Sequence, residues 1–139
     1  MRTVRDADGH TYLLLKRSAD ACLVRDPESG ERRHLPTDSV TVAGESPLDV
    51  AATAVPEATR RLVRAAHSDR GLGLLVDLRD RGPLPVTAML ADYDCCESDL
   101  HGLLAEFRAA GLVAEATVGG ERGYRLTDDA RVAVDALTR

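Results

Sequence analysis

The sequence predicts an α+β chain: a small N-terminal antiparallel β-sheet comes first, and helices dominate the rest of the chain. Three observations predict it. Residues 1 to about 43 break into short strand-like runs separated by Gly, Asp and Pro, the punctuation of hairpins. From Ser46 on, apolar residues recur at offsets of three and four, the period of helices that bury one face. Near the end, two strand-like runs flank Gly119-Gly120-Glu121-Arg122-Gly123 before helical spacing returns. The expected organisation is a sheet module over 1–45, a two-helix connector over 46–67 and a third domain over 68–139.

In the first module, Thr3-Val4-Arg5 and Thr11 to Lys16 flank the turn Asp6-Ala7-Asp8-Gly9, while Cys22 to Arg25 and Arg32 to Leu35 flank Asp26-Pro27-Glu28-Ser29-Gly30. Two hairpins in series imply an antiparallel meander. Such a sheet is marginal alone, so Leu13, Leu15, Leu23, Val24 and Leu35 are expected to be covered by the helices after it or by a second subunit.

Ser46-Pro47-Leu48-Asp49 is a helix start: Ser can cap, Pro fits the first turn and Asp faces the positive end of the helix dipole. Leu48, Ala51, Ala52 and Val55 then lie at offsets 0, 3, 4 and 7 and are expected to face inward. Pro56 should end or kink this helix and open a second one to about His67, which carries Arg60, Arg61 and Arg64.

The third domain begins at Ser68. A helix from Asp69 to about Arg81 would bury Leu72, Leu75 and Leu78 and close at Gly82-Pro83, with a short helix around Val86 to Ala91 after it. The turn Asp92-Tyr93-Asp94-Cys95 leads to a third helix, from Glu97, whose inner face is Leu100, Leu103, Leu104 and Phe107 and whose C-terminal cap is Gly111. Leu112 to Val118 and Arg122 to Leu126 form a hairpin, and Thr127-Asp128-Asp129-Ala130 starts a last helix with Ala130, Ala133, Val134 and Leu137 inward. Helix, helix, helix, hairpin and helix in this order is the pattern of a C-terminal winged helix-turn-helix. Leu103-Leu104 through Gly111-Leu112-Val113, then Gly123-Tyr124-Arg125-Leu126-Thr127, resembles the recognition helix, wing and last helix of the arsenic-repressor and multiple-antibiotic-resistance regulator families. The resemblance covers residues 68 to 138, about half of the chain, and implies a DNA-binding transcriptional regulator; the amino-terminal sheet matches nothing in those families.

Composition narrows the alternatives. With 44% hydrophobic residues in 139, the chain can bury a core, and with 3% aromatics and no Trp that core is built from Leu, Val and Ala. Aromatic platforms for single-stranded nucleic acid are not expected. No run of about 18 apolar residues occurs and the first residues are polar, so a cytoplasmic protein away from membranes is expected. Lys16 is the sole lysine, leaving 17 arginines against 23 acids. That balance resembles proteins of salt-loving archaea, with a high-GC bacterial source as the alternative for the arginine bias.

Cys22, Cys95 and Cys96 have neither an even count nor a metal-type spacing, and His10, Cys22 and His34 match no zinc pattern, so neither disulfides nor a metal are expected. Cys95-Cys96 sits before the third helix, where it reads either as a redox-sensitive thiol or as a small buried hydrophobe. There is no Gly-rich phosphate loop, nucleophile elbow or metalloprotease motif, and Gly71-Leu72-Gly73 lies inside a helix pattern. No enzymatic activity and no cofactor are expected.

If the third helix reads DNA, the side opposite its apolar stripe enters the major groove. That side is centred on Ser98, Gly102, Ala105 and Ala109, flanked by His101 and Arg108, with Asp99 and Glu106 on the other border. Arg122 and Arg125 on the wing complete the candidate contacts, and Arg60, Arg61 and Arg64 are either further contacts or a solvated face. His101 reads as a base or phosphate contact or as a plain surface histidine. Charge opposes DNA: from residue 68 on, eight arginines face 13 acids, so the chain's net −5 lies wholly there. Duplex binders commonly neutralise about six to ten phosphates, so positive charge must act locally. The expected partner is double-stranded DNA, bound by a homodimer on a palindromic site. The alternative is a winged helix that docks on a protein of the transcription or replication machinery.

Overall fold

The computed structural model describes residues 2–139 and divides the chain into two compact units, one ending at Val55 and the other beginning at Pro56. The boundary falls inside the stretch expected as a two-helix connector. One of its helices packs on the sheet and the other on the last helix of the chain.

The first unit is a five-stranded antiparallel sheet, β1 (Arg2–Arg5), β2 (Thr11–Arg17), β3 (Ala21–Arg25), β4 (Arg32–Pro36) and β5 (Thr41–Ala43), in the order β4-β3-β2-β1-β5. The strand β5, too short to show alternation, extends the four-stranded meander that the sequence suggests. It also shapes the sheet. Strands about 4.8 Å apart would hold the edges of a flat five-stranded sheet about 19 Å apart. Here the edges β4 and β5 are joined by residues 37–40 alone, of which Thr37–Ser39 form a 3-10 turn, and such a turn rises only about 2 Å per residue. The sheet therefore curls into an open barrel, helped by a bulge between Leu14 and Lys16.

Val4, Tyr12, Cys22 and Val24 fill the concave side, with Leu14, Leu35 and Val40 around them. On the other side Thr3 and Leu13, paired across β1 and β2, are buried as well. Here α1 (Pro47–Ala52) packs against both strands. The inward residue is Val50, whereas Leu48, expected inside, is 81% exposed and Val55 lies beyond the helix end. A helix of six residues has room for one contact row, and Pro47, Val50 and Ala51 make it. Leu15 and Leu23 are only half-buried, Leu15 because it falls at the bulge.

The second unit comprises α2 (Glu57–Ala65), α3 (Asp69–Arg81), β6 (Leu84–Pro85), α4 (Val86–Asp92), α5 (Glu97–Ala109), β7 (Val113–Val118), β8 (Glu121–Leu126) and α6 (Asp128–Leu137). Its sheet has the order β6-β8-β7. This is a winged helix-turn-helix, with α5 in the recognition position and β7–β8 as the wing. The apolar core runs from Leu62 of α2 through Leu74, Leu75 and Leu78, then Leu100, Leu104 and Phe107, to Ala130, Ala133 and Val134. Two expected core positions lie elsewhere. Leu72 is 40% exposed because the buried row of α3 is Gly71, Leu74, Leu75 and Leu78, where Gly71 lets the Phe107 ring approach. Leu137, 54% exposed, stands at the end of α6 after the buried row has stopped at Val134.

Candidate nucleic-acid interface

The recognition helix is fixed at both ends by backbone chemistry. Asp94, with φ 47°, takes the left-handed turn between α4 and α5, a conformation that Asp tolerates better than most residues. At the other end Gly111, φ 74°, closes a Schellman motif: Leu112 N–H donates to the Phe107 carbonyl (2.8 Å) and Gly111 N–H to that of Arg108 (3.0 Å). The Thr127 hydroxyl then donates to the Gly111 carbonyl (2.8 Å) while capping α6 by accepting from Ala130 N–H (3.3 Å). Helix, wing and last helix are thus tied at one corner.

The wing starts at that corner and turns at Gly119-Gly120, φ 58° and 80°, the geometry of a tight hairpin turn. Its register pairs Glu115 with Tyr124 and Thr117 with Arg122, so these four side chains share one face. Arg125 pairs with Ala114 and has the opposite parity. Gly123 allows β6 to come close: a Cβ there would lie 2.3 Å from the Leu84 carbonyl oxygen.

Between the outer side of α5 and this face of the wing lies a cleft lined by His101, Ala105, Arg108, Ala109, Arg122 and Tyr124. Four of the expected contact residues, His101, Ala105, Arg108 and Arg122, therefore converge. Ser98 and Gly102 are exposed on α5 as well. Each basic side chain in the cleft already has an acidic neighbour. His101 Nε2 is 3.5 Å from Glu97, one turn earlier. Arg108 and Arg122 meet on a single oxygen, Glu115 Oε1, at 2.9 and 2.8 Å. The guanidinium of Arg122 also donates to the Tyr124 hydroxyl (3.0 Å).

The arginines of α2 lie elsewhere in this unit. Arg61 reaches Asp129 (2.8 Å) and the Ala110 carbonyl (3.5 Å), so its charge holds α2 to the α5 and α6 ends. With Arg64, Ala65 and His67 it lines a second groove against Glu106, Ala109, Ala110 and Gly111. Arg60 is half-buried on α2. Because α2 belongs to the second unit, it changes the charge count: Pro56 to Arg139 holds 11 arginines and 14 acids, net −3, and the first unit carries the remaining −2.

The remaining candidate groups do not assemble. Cys96 is exposed, with its Sγ 3.4 Å from the Ser98 hydroxyl, while Cys95 is half-buried in a cavity of about 220 Å³ beside Leu74, Tyr93, Leu100 and Leu103. Cys22 is fully buried in the barrel, His34 has the opposite strand parity, and His10 lies 3.3 Å from Asp26. Glu115 and Tyr124 are the site residues that composition and helical periodicity miss. Strand parity counted back from the Gly-Gly turn would have found both.

Comparison with known proteins places the whole chain. The model of a family described as "Family of unknown function (DUF7346)" matches residues 1–138, which spans both units. The family thus takes in the first unit as well as the winged helix. No curated protein matches the chain in sequence. Among solved structures it is similar to HlyU from Vibrio cholerae N16961, at 25% identity and a TM-score of 0.50, over 58% of this chain and 87% of that one. The shared fold is the winged helix. Among the described residues no helix is long and apolar enough to cross a membrane.

Proposed function

We propose that this chain, which belongs to the DUF7346 family, is a transcription regulator that grips double-stranded DNA in the cleft between α5 and the wing. The observation that carries this reading is the convergence of His101, Arg108 and Arg122 on one concave surface next to a helix face of small residues. Ser98, Gly102 and Ala105 let α5 enter the major groove closely, and Arg108 and Arg122, with His101 as a hydrogen-bonding neighbour, receive the phosphate strand that runs between helix and wing. The likeness to HlyU and the resemblance to the arsenic-repressor type of regulator support the same use of the fold. The role is binding rather than catalysis. We place the protein in a salt-rich cytoplasm, a setting that its acidic, lysine-poor composition suits. It acts as a homodimer on a two-fold site.

Docking on another protein is the second reading, favoured by the net −3 of the winged-helix unit. A salt series of duplex binding separates the two. On a duplex that holds its specific site, the Arg108→Ala, Arg122→Ala double variant is expected to bind about a hundredfold more weakly than wild type, about tenfold per lost contact. Its slope of log affinity against log salt should be shallower by about two. Absence of duplex binding at every salt concentration, with the fold intact by circular dichroism, would replace DNA by the protein partner.

A further inference from the structure

We infer that Glu115 is a built-in gate on this interface: its carboxylate occupies the place of a DNA phosphate between Arg108 and Arg122, and must be displaced before the wing can engage. The gate rests on the DNA-binding reading of the cleft and adds how that site is regulated.

Three observations converge on it. First, both guanidinium groups reach the same oxygen, Oε1, at 2.9 and 2.8 Å, from α5 and from β8. An anionic oxygen bridging two arginines is how a phosphate would be held there. Second, the register that pairs Glu115 with Tyr124 aims the carboxylate at the cleft side of the wing. Third, stability does not explain the arrangement. Arg108, Arg122 and Glu115 are 56%, 62% and 43% exposed, and exposed pairs contribute little to folding.

The consequence concerns selectivity. Random-sequence DNA binds by charge alone, and here one acid cancels half the charge of the two arginines that would supply it, and also repels phosphates. Only a site whose helix and groove contacts are good enough to bring a phosphate against Arg108 and Arg122 displaces Glu115. The acid thus suppresses non-specific binding more than specific binding, a form of discrimination by repulsion. It also accounts for how an acidic unit serves as a DNA reader: the cations are present but masked.

The test uses the full chain and a labelled mixed-sequence duplex, titrated by fluorescence anisotropy across a salt series. Glu115→Gln, which keeps the shape and removes the charge, should bind that duplex about tenfold more tightly, the order of one charge-assisted contact. Its slope of log affinity against log salt should be steeper by about one, as one net positive charge becomes available. Glu121→Gln, also on the wing but hydrogen-bonded to Thr87 rather than to either arginine, controls for mere loss of acid. The gain from Glu115→Gln should exceed that control and vanish in the Arg108→Ala, Arg122→Ala background. A gain equal to that of Glu121→Gln, or one that survives without the arginines, would overturn the gate while leaving DNA binding intact. Loss of duplex binding by wild type and Glu115→Gln alike would overturn both readings.

Discussion

The barrel and the winged helix are held together by different means. The barrel buries a cluster of four residues, Val4, Tyr12, Cys22 and Val24, with Thr3, Leu13 and Val50 buried on its other side, whereas the second unit's cluster has sixteen, from Leu62 to Val134. What the barrel lacks in apolar packing it makes up in hydrogen bonds at its turns. Asp6 accepts from the backbone N–H groups of Asp8 and His10 (3.0 and 2.9 Å), and Asp26 from those of Glu28 and Ser29 (2.9 and 3.4 Å). Its curl is set by four linking residues rather than by a large core. The winged helix relies on leucines and on close backbone approach, with charges kept for its corners. The first unit should therefore be sensitive to protons and the second to volume.

The largest effect that separates them is expected from Gly123→Val. A Cβ at this position lies 2.3 Å from the Leu84 oxygen and 2.9 Å from Pro85 Cα, so β6 must leave β8. Backbone cannot give way as a flexible side chain would, and the cost should be about 3 kcal/mol or more. Hydrogen exchange should then show lost protection across residues 56–139, with the barrel strands unchanged. Equal loss in both units would mean that they do not stabilise themselves separately.

A smaller effect should come from Arg61→Ala. The guanidinium joins α2 to Asp129 and to the Ala110 carbonyl, and a Cβ on Gly111 would touch its Nη1 at 2.8 Å. Losing these contacts and the packed stem should cost about 1 kcal/mol. Exchange should rise in α2 and at the start of α6, while duplex affinity measured well below the unfolding transition stays at the wild-type level. Weakened affinity in a fully folded Arg61→Ala protein would instead make Arg61 part of the DNA contact.

The sequence carries more of the second unit than of the first, and the reason is physical. A 13-residue helix such as α5 repeats its apolar spacing often enough to identify the buried row, and Gly111 and Gly119-Gly120 mark ends that only glycine makes comfortable. The six residues of α1 offer no such repetition, so Leu48 looks as inward as Val50 does. In α3 the buried row includes Gly71, a core position without a side chain, which shifts the apparent stripe toward Leu72. The strand β5 has three residues and an exposed Val42, and is defined by pairing with β1 rather than by its own pattern. In the candidate site, Arg108 and Arg122 are visible as charges on predicted elements. The sharing of Glu115 between them is a tertiary fact, legible only once helix and hairpin are brought face to face.

Protons should produce the smallest contrast, with acid acting first on the barrel. In Asp6 and Asp26 partial burial pushes the carboxyls up. Backbone N–H donors outweigh it, those of His10 and Asp8 for the first and of Glu28 and Ser29 for the second, and both pKa values end below the ordinary carboxylate value. A depressed folded-state value means that each carboxylate stabilises the barrel above the usual range and that this contribution disappears as pH falls below about 4. Tyr93 has the opposite sign. Burial, and then the hydrogen bond to Asp77, raise its pKa far above that of a free phenol. Its contribution is complete below about pH 10 and is lost as pH rises through the folded value. Thermal melts tracked residue by residue by NMR should show the barrel weakening first between about pH 5 and 3, and the α3–α4 corner loosening first above about pH 10. Asp26→Asn should remove part of the acid sensitivity, since an amide oxygen still accepts from Glu28 N–H but has no proton to gain. An acid transition that begins in the winged helix, with the barrel intact, would reverse the assignment of which unit depends on charge and which on packing.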